Sequence, residues 1–111
     1  MKNYLSEGDS LALTAPYNVS SGGGFLVGSI FAVAANDALS GASVQGKTKG
    51  LFTLTKHSAE AWTVGELLYW DDTNKYVTST ATSNKLIGIA AAAAANPSGT
   101  GNVRLNGAFT S

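Results

Sequence analysis

The chain has 111 residues, of which 44% are hydrophobic and 13% are charged, and its seven Lys and Arg side chains balance seven Asp and Glu. This length allows one compact domain, residues 1–111, with one core. The balanced charge argues against nucleic acid as a partner, because binding a phosphate backbone calls for a surplus of cations. Such a low share of charged residues favours a surface that is partly covered, either by self-association or by docking onto a large assembly.

The cysteine count, the N-terminal residues and the length of the apolar runs exclude further classes of protein. There is no cysteine, so neither disulfides nor thiolate metal sites contribute. The first ten residues lack the apolar stretch of a secretory signal, and no apolar run reaches the roughly 18 residues of a membrane-spanning helix. The sequence therefore predicts a soluble protein without a membrane partner.

Short apolar runs separated by Gly, Asn, Asp, Ser and Pro are typical of a β protein. In chain order, the first predicted elements are a strand over 10–16, an apolar run over 25–34 with a bulge or bend at Gly28, and two strands within 43–55. A hairpin over 66–79 follows, with its turn at 71–74. A second hairpin covers 85–108, with its turn at 96–101. Residues 57–66 are irregular and have room for one helical turn. Together these elements predict an all-β fold, a small compact β-barrel or sandwich with Gly-rich turns and at most one short helix.

The six alanines at 90–95 are ambiguous. Alanine is the best helix former, but six residues do not offset the cost of nucleating a helix. The run also continues directly from the strand-like Leu86–Ile89. We therefore favour a strand, with a helix as the alternative.

Residues 41–48, GASVQGKT, match the phosphate-loop pattern G-x-x-x-x-G-K-[ST] letter for letter, and LLYWDD (67–72) resembles the segment that holds magnesium in the same proteins. A working loop needs a buried strand before it and a helix that begins at the Lys-Thr pair. Residues 35–40 do not form a buried strand pattern, and Leu51–Thr55 favours extended structure. We interpret the motif as a chance match and keep nucleotide binding through Gly41–Thr48, as in a recombinase-like protein, as the alternative function.

The residues that would carry that alternative are Gly41, Gly46, Lys47 and Thr48. The sequence offers no other cofactor site, and we predict no cofactor.

The remaining polar residues do not form a convincing catalytic or metal site. His57 is the only histidine, which excludes a multi-histidine metal site, and it is interpreted as a surface residue or an acid–base group. Asp71 and Asp72 are adjacent and are better explained as turn caps than as a carboxylate pair. Glu60 and Glu66 have no partner that the sequence identifies. We predict no catalytic residue.

The large aromatic residues are the candidates for an interface. Trp62, Tyr69 and Trp70 are interpreted either as core or as anchors for a partner, since Trp and Tyr dominate binding hot spots. Tyr4 and Leu5 precede the first strand. They belong either to an extended N-terminal arm over residues 1–8 that orders on a partner or to a frayed terminus.

Several segments in a fixed order resemble the family of small phage capsid cement (decoration) proteins, whose members are sometimes labelled recombinases. They are EGDSLALTAP (7–16), GFLVGSIFAVA (24–34), VGELLYWDDTNK (64–75), LIGIAAAAA (86–94) and GNVRLNG (101–107). The resemblance covers nearly the whole chain, and it carries no catalytic residue with it.

The resemblance implies an all-β structural protein without enzymatic activity. It also implies a homotrimer that is made in the cytoplasm of the bacterial host and binds the major capsid protein on the outer surface of the virion head, at local three-fold positions. A small β adaptor, such as a receptor-binding or tail component, is a third interpretation of the same sequence.

Overall fold

The computed structural model describes residues 10–106, and every regular element in this range is a β-strand. The nine strands are β1 Ser10–Thr14, β2 Gly24–Val27, β3 Ile30–Ala34, β4 Ser43–Lys47, β5 Lys49–Thr55, β6 Leu67–Asp71, β7 Tyr76–Thr78, β8 Lys85–Ala90 and β9 Thr100–Asn106. The predicted all-β class is confirmed. Tyr4, Leu5 and the predicted arm over residues 1–8 lie outside the described residues.

The strands form two antiparallel sheets that pack as a small sandwich. One sheet has the order β1-β4-β3-β2 and the other the order β5-β9-β8-β6-β7. The chain passes from the first sheet to the second at Thr48, between β4 and β5. The edge strands of the second sheet approach each other where Lys56 and Val77 form a single parallel bridge, and the His57 amide donates to the Val77 carbonyl at 2.9 Å. The sheet is strongly curled but is not a closed barrel.

Strand β3 is buried on both faces and joins two apolar clusters. Phe31 and Val33 pack in the larger cluster with residues of the five-stranded sheet. Ala32 and Ala34 point the other way, into a smaller cluster with Phe25 of β2 and residues from the loops beside the four-stranded sheet. Burial on two sides explains why this segment is continuously apolar and does not alternate.

Gly28 divides the predicted apolar run over 25–34 into two strands. Val27 pairs with Ile30, so Gly28 and Ser29 form a two-residue turn between β2 and β3. Gly28 has φ of +59°, a backbone conformation that glycine adopts without steric cost. The predicted bulge or bend is therefore the turn of a hairpin.

The alanine run does not form a helix. Strand β8 ends at Ala90, and the chain then bends through 91–93. Ala94 returns to extended pairing, exchanging two backbone hydrogen bonds of 2.9 and 3.1 Å with Trp62. The predicted strand is thus correct at Ala90 and at this isolated bridge, and the residues between them form a bend.

Candidate interaction surface

The segment that matches the phosphate-loop pattern is extended. Gly41 has φ of +86° in a turn, Ser43–Lys47 forms β4, and β5 begins at Lys49. The backbone of β4 is committed to ladders with β1 and β3, in which Lys47 lies opposite Ser10 and Val33. The amides therefore do not point together at one phosphate-sized site, as a phosphate loop requires. The predicted extended structure over Leu51–Thr55 is confirmed, and it supports the interpretation of the motif as a chance match.

The two adjacent aspartates hold a turn. The Asp71 carboxylate accepts hydrogen bonds from the backbone amides of Thr73 and Asn74, both at 3.0 Å, and from the Asn74 side chain at 2.9 Å. The bonds from Asn74 are the main reason why the pKa of Asp71 is lowered. Asp72 accepts from the Trp70 indole at 3.0 Å and pairs with Lys75 at 3.1 Å. Their hydrogen bonds match the predicted role as turn caps.

Glu60 and Glu66 have partners that the sequence did not reveal. The Glu60 carboxylate accepts from the Trp62 indole at 3.2 Å, from the Ser79 amide at 2.9 Å and from the Thr78 hydroxyl. Partial burial opposes the charge, but these hydrogen bonds together lower the pKa of Glu60. Glu66 accepts from the Thr63 amide at 3.1 Å and so closes a local turn. Both carboxylates stabilise loops.

Within residues 10–106, no cluster of three His, Asp or Glu side chains is arranged to hold a metal ion. The same part of the chain has no helix that is long and apolar enough to span a membrane.

The three large aromatic residues separate into two environments. Trp62 and Trp70 are buried in the larger core cluster, as the core interpretation of the sequence predicts. Tyr69 is half-buried and lies opposite Leu86 on the face of the five-stranded sheet that points away from the core. A contact between any of the three and a partner stays a prediction, and Tyr69 is the one placed at the surface.

Large apolar side chains are exposed on this same sheet face, which we call the outer face. Leu51, Arg104, Ile89 and Leu67 stand side by side across β5, β9, β8 and β6, because each pairs with the next in register. Leu51 is 65% exposed, Leu67 53% and Leu86 38%. Singly scattered apolar residues are normal on a protein surface, but a contiguous group marks an interaction site.

The end of the outer face near β5 is basic. A groove of about 550 Å³ lies there, and its lining includes Lys49, Leu51, Ala91 and Arg104. The ion pair found among the described residues is Lys75 with Asp72, in the β6–β7 turn. Within residues 10–106, Lys49 and Arg104 therefore have no carboxylate partner.

Comparison with known proteins identifies a family. A family model described as phage cement protein matches residues 5–105 of the 111. Neither the curated proteins nor the solved structures include a significant match to the chain.

Proposed function

The chain belongs to the phage cement protein family, and on that basis we propose that it is a homotrimer that binds the outer surface of a phage head at three-fold positions and stabilises the capsid. Family membership itself makes it a structural, capsid-associated protein. The proposal adds the trimer, the three-fold positions, the outer surface and the major capsid protein as the subunit that is bound. It also includes synthesis in the cytoplasm of the bacterial host.

The observation that carries the proposal is the family match, and the surface of the molecule agrees with it. The five-stranded sheet presents one face to solvent, and on this face Leu51 and Leu67 are more than half exposed. Only 13% of the chain is charged. A weakly charged surface with exposed leucines favours close contact with another protein over long-range attraction to a charged ligand.

Binding to several capsid sites at once would make the attachment strong. When one subunit of a trimer is bound, the other two meet their sites at an effective concentration in the millimolar range, so avidity exceeds the affinity of a single contact. A ligand that binds the expanded shell and not its precursor stabilises the expanded shell by mass action. The proposed role is therefore mechanical and needs no catalytic turnover.

Sedimentation tests the proposal. The purified protein should sediment as a trimer, and it should cosediment saturably with expanded heads of its phage but not with unexpanded ones. A stable monomer that ignores both kinds of head would contradict the proposal. Electron microscopy that finds the protein on tails would favour the adaptor interpretation.

A further inference from the structure

Exposed leucines occur on three strands of one sheet face. Leu51 projects from β5, Leu67 from β6 and Leu86 from β8, and the half-buried Ile89 and Tyr69 lie between them. The row from Leu51 to Leu67 crosses four strands and spans roughly 14 Å at the usual spacing between strands. The leucines therefore form one surface.

We infer that the outer face of the five-stranded sheet is the surface that docks on the capsid protein, against an apolar patch that carries carboxylates. This inference rests on the proposed function and deepens it, because it assigns the contact to named residues and states the chemistry of the partner.

A β-bulge determines which residue of β8 lies beside Tyr69 on the outer face. Leu68 pairs with Gly88, but Tyr69 pairs with Leu86, so Ile87 is an extra residue in β8. The bulge places Ile87 in the core and leaves Leu86 beside Tyr69 on the outside. Bulges re-aim side chains in this way and occur next to functional sites. Without the bulge Ile87 would lie opposite Tyr69, so the bulge exchanges one apolar side chain on the outer face for another.

The charges identify the kind of partner. Arg104 stands between Leu51 and Ile89 in the row, and Lys49 lies two residues before Leu51 on the same face. Neither has a carboxylate partner among residues 10–106. An Arg buried at an interface needs an acceptor, and a carboxylate binds its guanidinium with two hydrogen bonds. The partner therefore supplies carboxylates next to apolar side chains.

A second copy of the chain that presents its own outer face does not fit this surface. Two outer faces packed with their β5 ends together would bring the cations Lys49 and Arg104 of each chain together, and like charges at an interface disfavour association. Carboxylates of this chain, such as those of the exposed Asp71–Asp72 turn, could also be presented by a neighbouring subunit. The experiment has to separate that arrangement from capsid binding.

The test compares two variants. The first is the double variant Leu51→Asp with Leu67→Asp, which places charge in the middle of the contact. The matched control is Leu39→Asp, since Leu39 is 71% exposed in a loop beside the four-stranded sheet. Both variants and the wild type are mixed with expanded heads, and the bound fraction is measured by cosedimentation. Sedimentation velocity without heads measures self-association.

The double variant should bind the heads at least about tenfold more weakly than the wild type, because each buried leucine contributes roughly that factor to affinity. It should retain the self-association and the unfolding midpoint of the wild type. Leu39→Asp should bind within about twofold of the wild type. If the double variant misfolds, the single variants Leu51→Ser and Leu67→Ser replace it in the binding assay. Each should bind the heads more weakly than the wild type.

The charge of Arg104 is tested separately. Arg104→Glu should weaken head binding at low salt, and Arg104→Lys should restore part of it, because lysine keeps the charge but loses the paired hydrogen bonds. Added salt should weaken the wild type more than Arg104→Gln. Equal binding by the wild type and Arg104→Glu would overturn the carboxylate assignment.

The outcomes distinguish this inference from the proposed function. If the wild type fails to bind heads, the proposed function fails and the inference fails with it. If the wild type and the double variant bind equally well, the function stands and the face is wrongly assigned. If the double variant loses self-association, the outer face is a contact between subunits, and the inference is overturned.

Discussion

Gly101 lies directly against the ring of Trp62, and a Cβ added at Gly101 would stand 2.3 Å from ring carbon Cζ3. Gly101 is on β9 and faces the core, so the indole occupies the space of the missing side chain. The Trp62 backbone is fixed by its bridge to Ala94, which limits how far the ring can move. A glycine in a strand often marks such a close approach.

We predict that Gly101→Ala lowers the free energy of unfolding by about 1–3 kcal/mol, because overpacking forces the ring or the strand to shift. Urea denaturation at a fixed protein concentration measures the change. Gly99→Ala is the matched control, since no atom lies within 4 Å of an added Cβ there. Equal stability of the two variants would show that Trp62 can move away without cost.

Protonation of Glu60 in acid should lower the stability of the folded protein. Its pKa is lowered in the fold relative to the ordinary value of 4.5, so the ionised form is bound more tightly by the folded state than by the unfolded state. This contribution is fully present above about pH 4.5 and is lost as the pH falls through the lower, folded pKa.

We predict that Glu60→Gln costs about 1–2 kcal/mol at pH 7, because the amide cannot accept all the hydrogen bonds from Trp62, Thr78 and Ser79. The difference between the wild type and the variant should shrink below pH 4.5. Denaturation curves from pH 7 to pH 3 measure it. A difference that stays constant over this range would mean that the ionisation of Glu60 is not linked to folding.

Lys56 is a buried cation that is held by carbonyl groups and a ring. Its ammonium donates to the carbonyls of His57 at 2.8 Å and Ser98 at 3.3 Å, and lies 5.6 Å from the centre of the Trp62 ring. Lys56→Met should lower the free energy of unfolding by about 1–3 kcal/mol, because it removes the donor from two carbonyls and the cation from the ring.

The exposed Lys47 provides the control for that variant. Lys47→Met should change the unfolding free energy by less than about 0.5 kcal/mol. Chemical denaturation of both variants gives the comparison. If the two methionine variants were equally stable, the contacts of Lys56 would contribute nothing to the fold.

The interpretation of the phosphate-loop motif as a chance match can be tested by nucleotide binding. Because Lys47 lies in a strand and no helix begins there, we expect titration calorimetry to detect no binding of ATP with magnesium at millimolar concentration. Lys47→Ala should behave like the wild type. Heat of binding that disappears in Lys47→Ala would establish nucleotide binding and reject the chance interpretation.

The sequence predicts the strands well because their signals are local. Alternation in Leu51–Thr55 and the polar residues of the Asp71–Asn74 turn lie within a few positions of each other, and each matches the observed element. Alternation does not say which face is buried. Leu51 is exposed and Leu54 is buried, and this choice depends on how the two sheets pack.

The parts that the sequence missed depend on distant residues. Glu60 is held by Thr78 and Ser79, which are 18 and 19 positions away, and nothing near Glu60 indicates them. The register shift that turns Ile87 inwards and Leu86 outwards arises only when β8 pairs with β6. The outer face is assembled from strands that are far apart in the chain, so it becomes visible only in the folded structure.

An electron cryomicroscopy map of expanded phage heads, with and without the purified protein, tests the central claim most directly. We expect added trimeric density on the outside of the shell at local three-fold positions, and a shell that withstands more heating before it opens. Heads with no added density at saturating protein, or density confined to the tail, would contradict it.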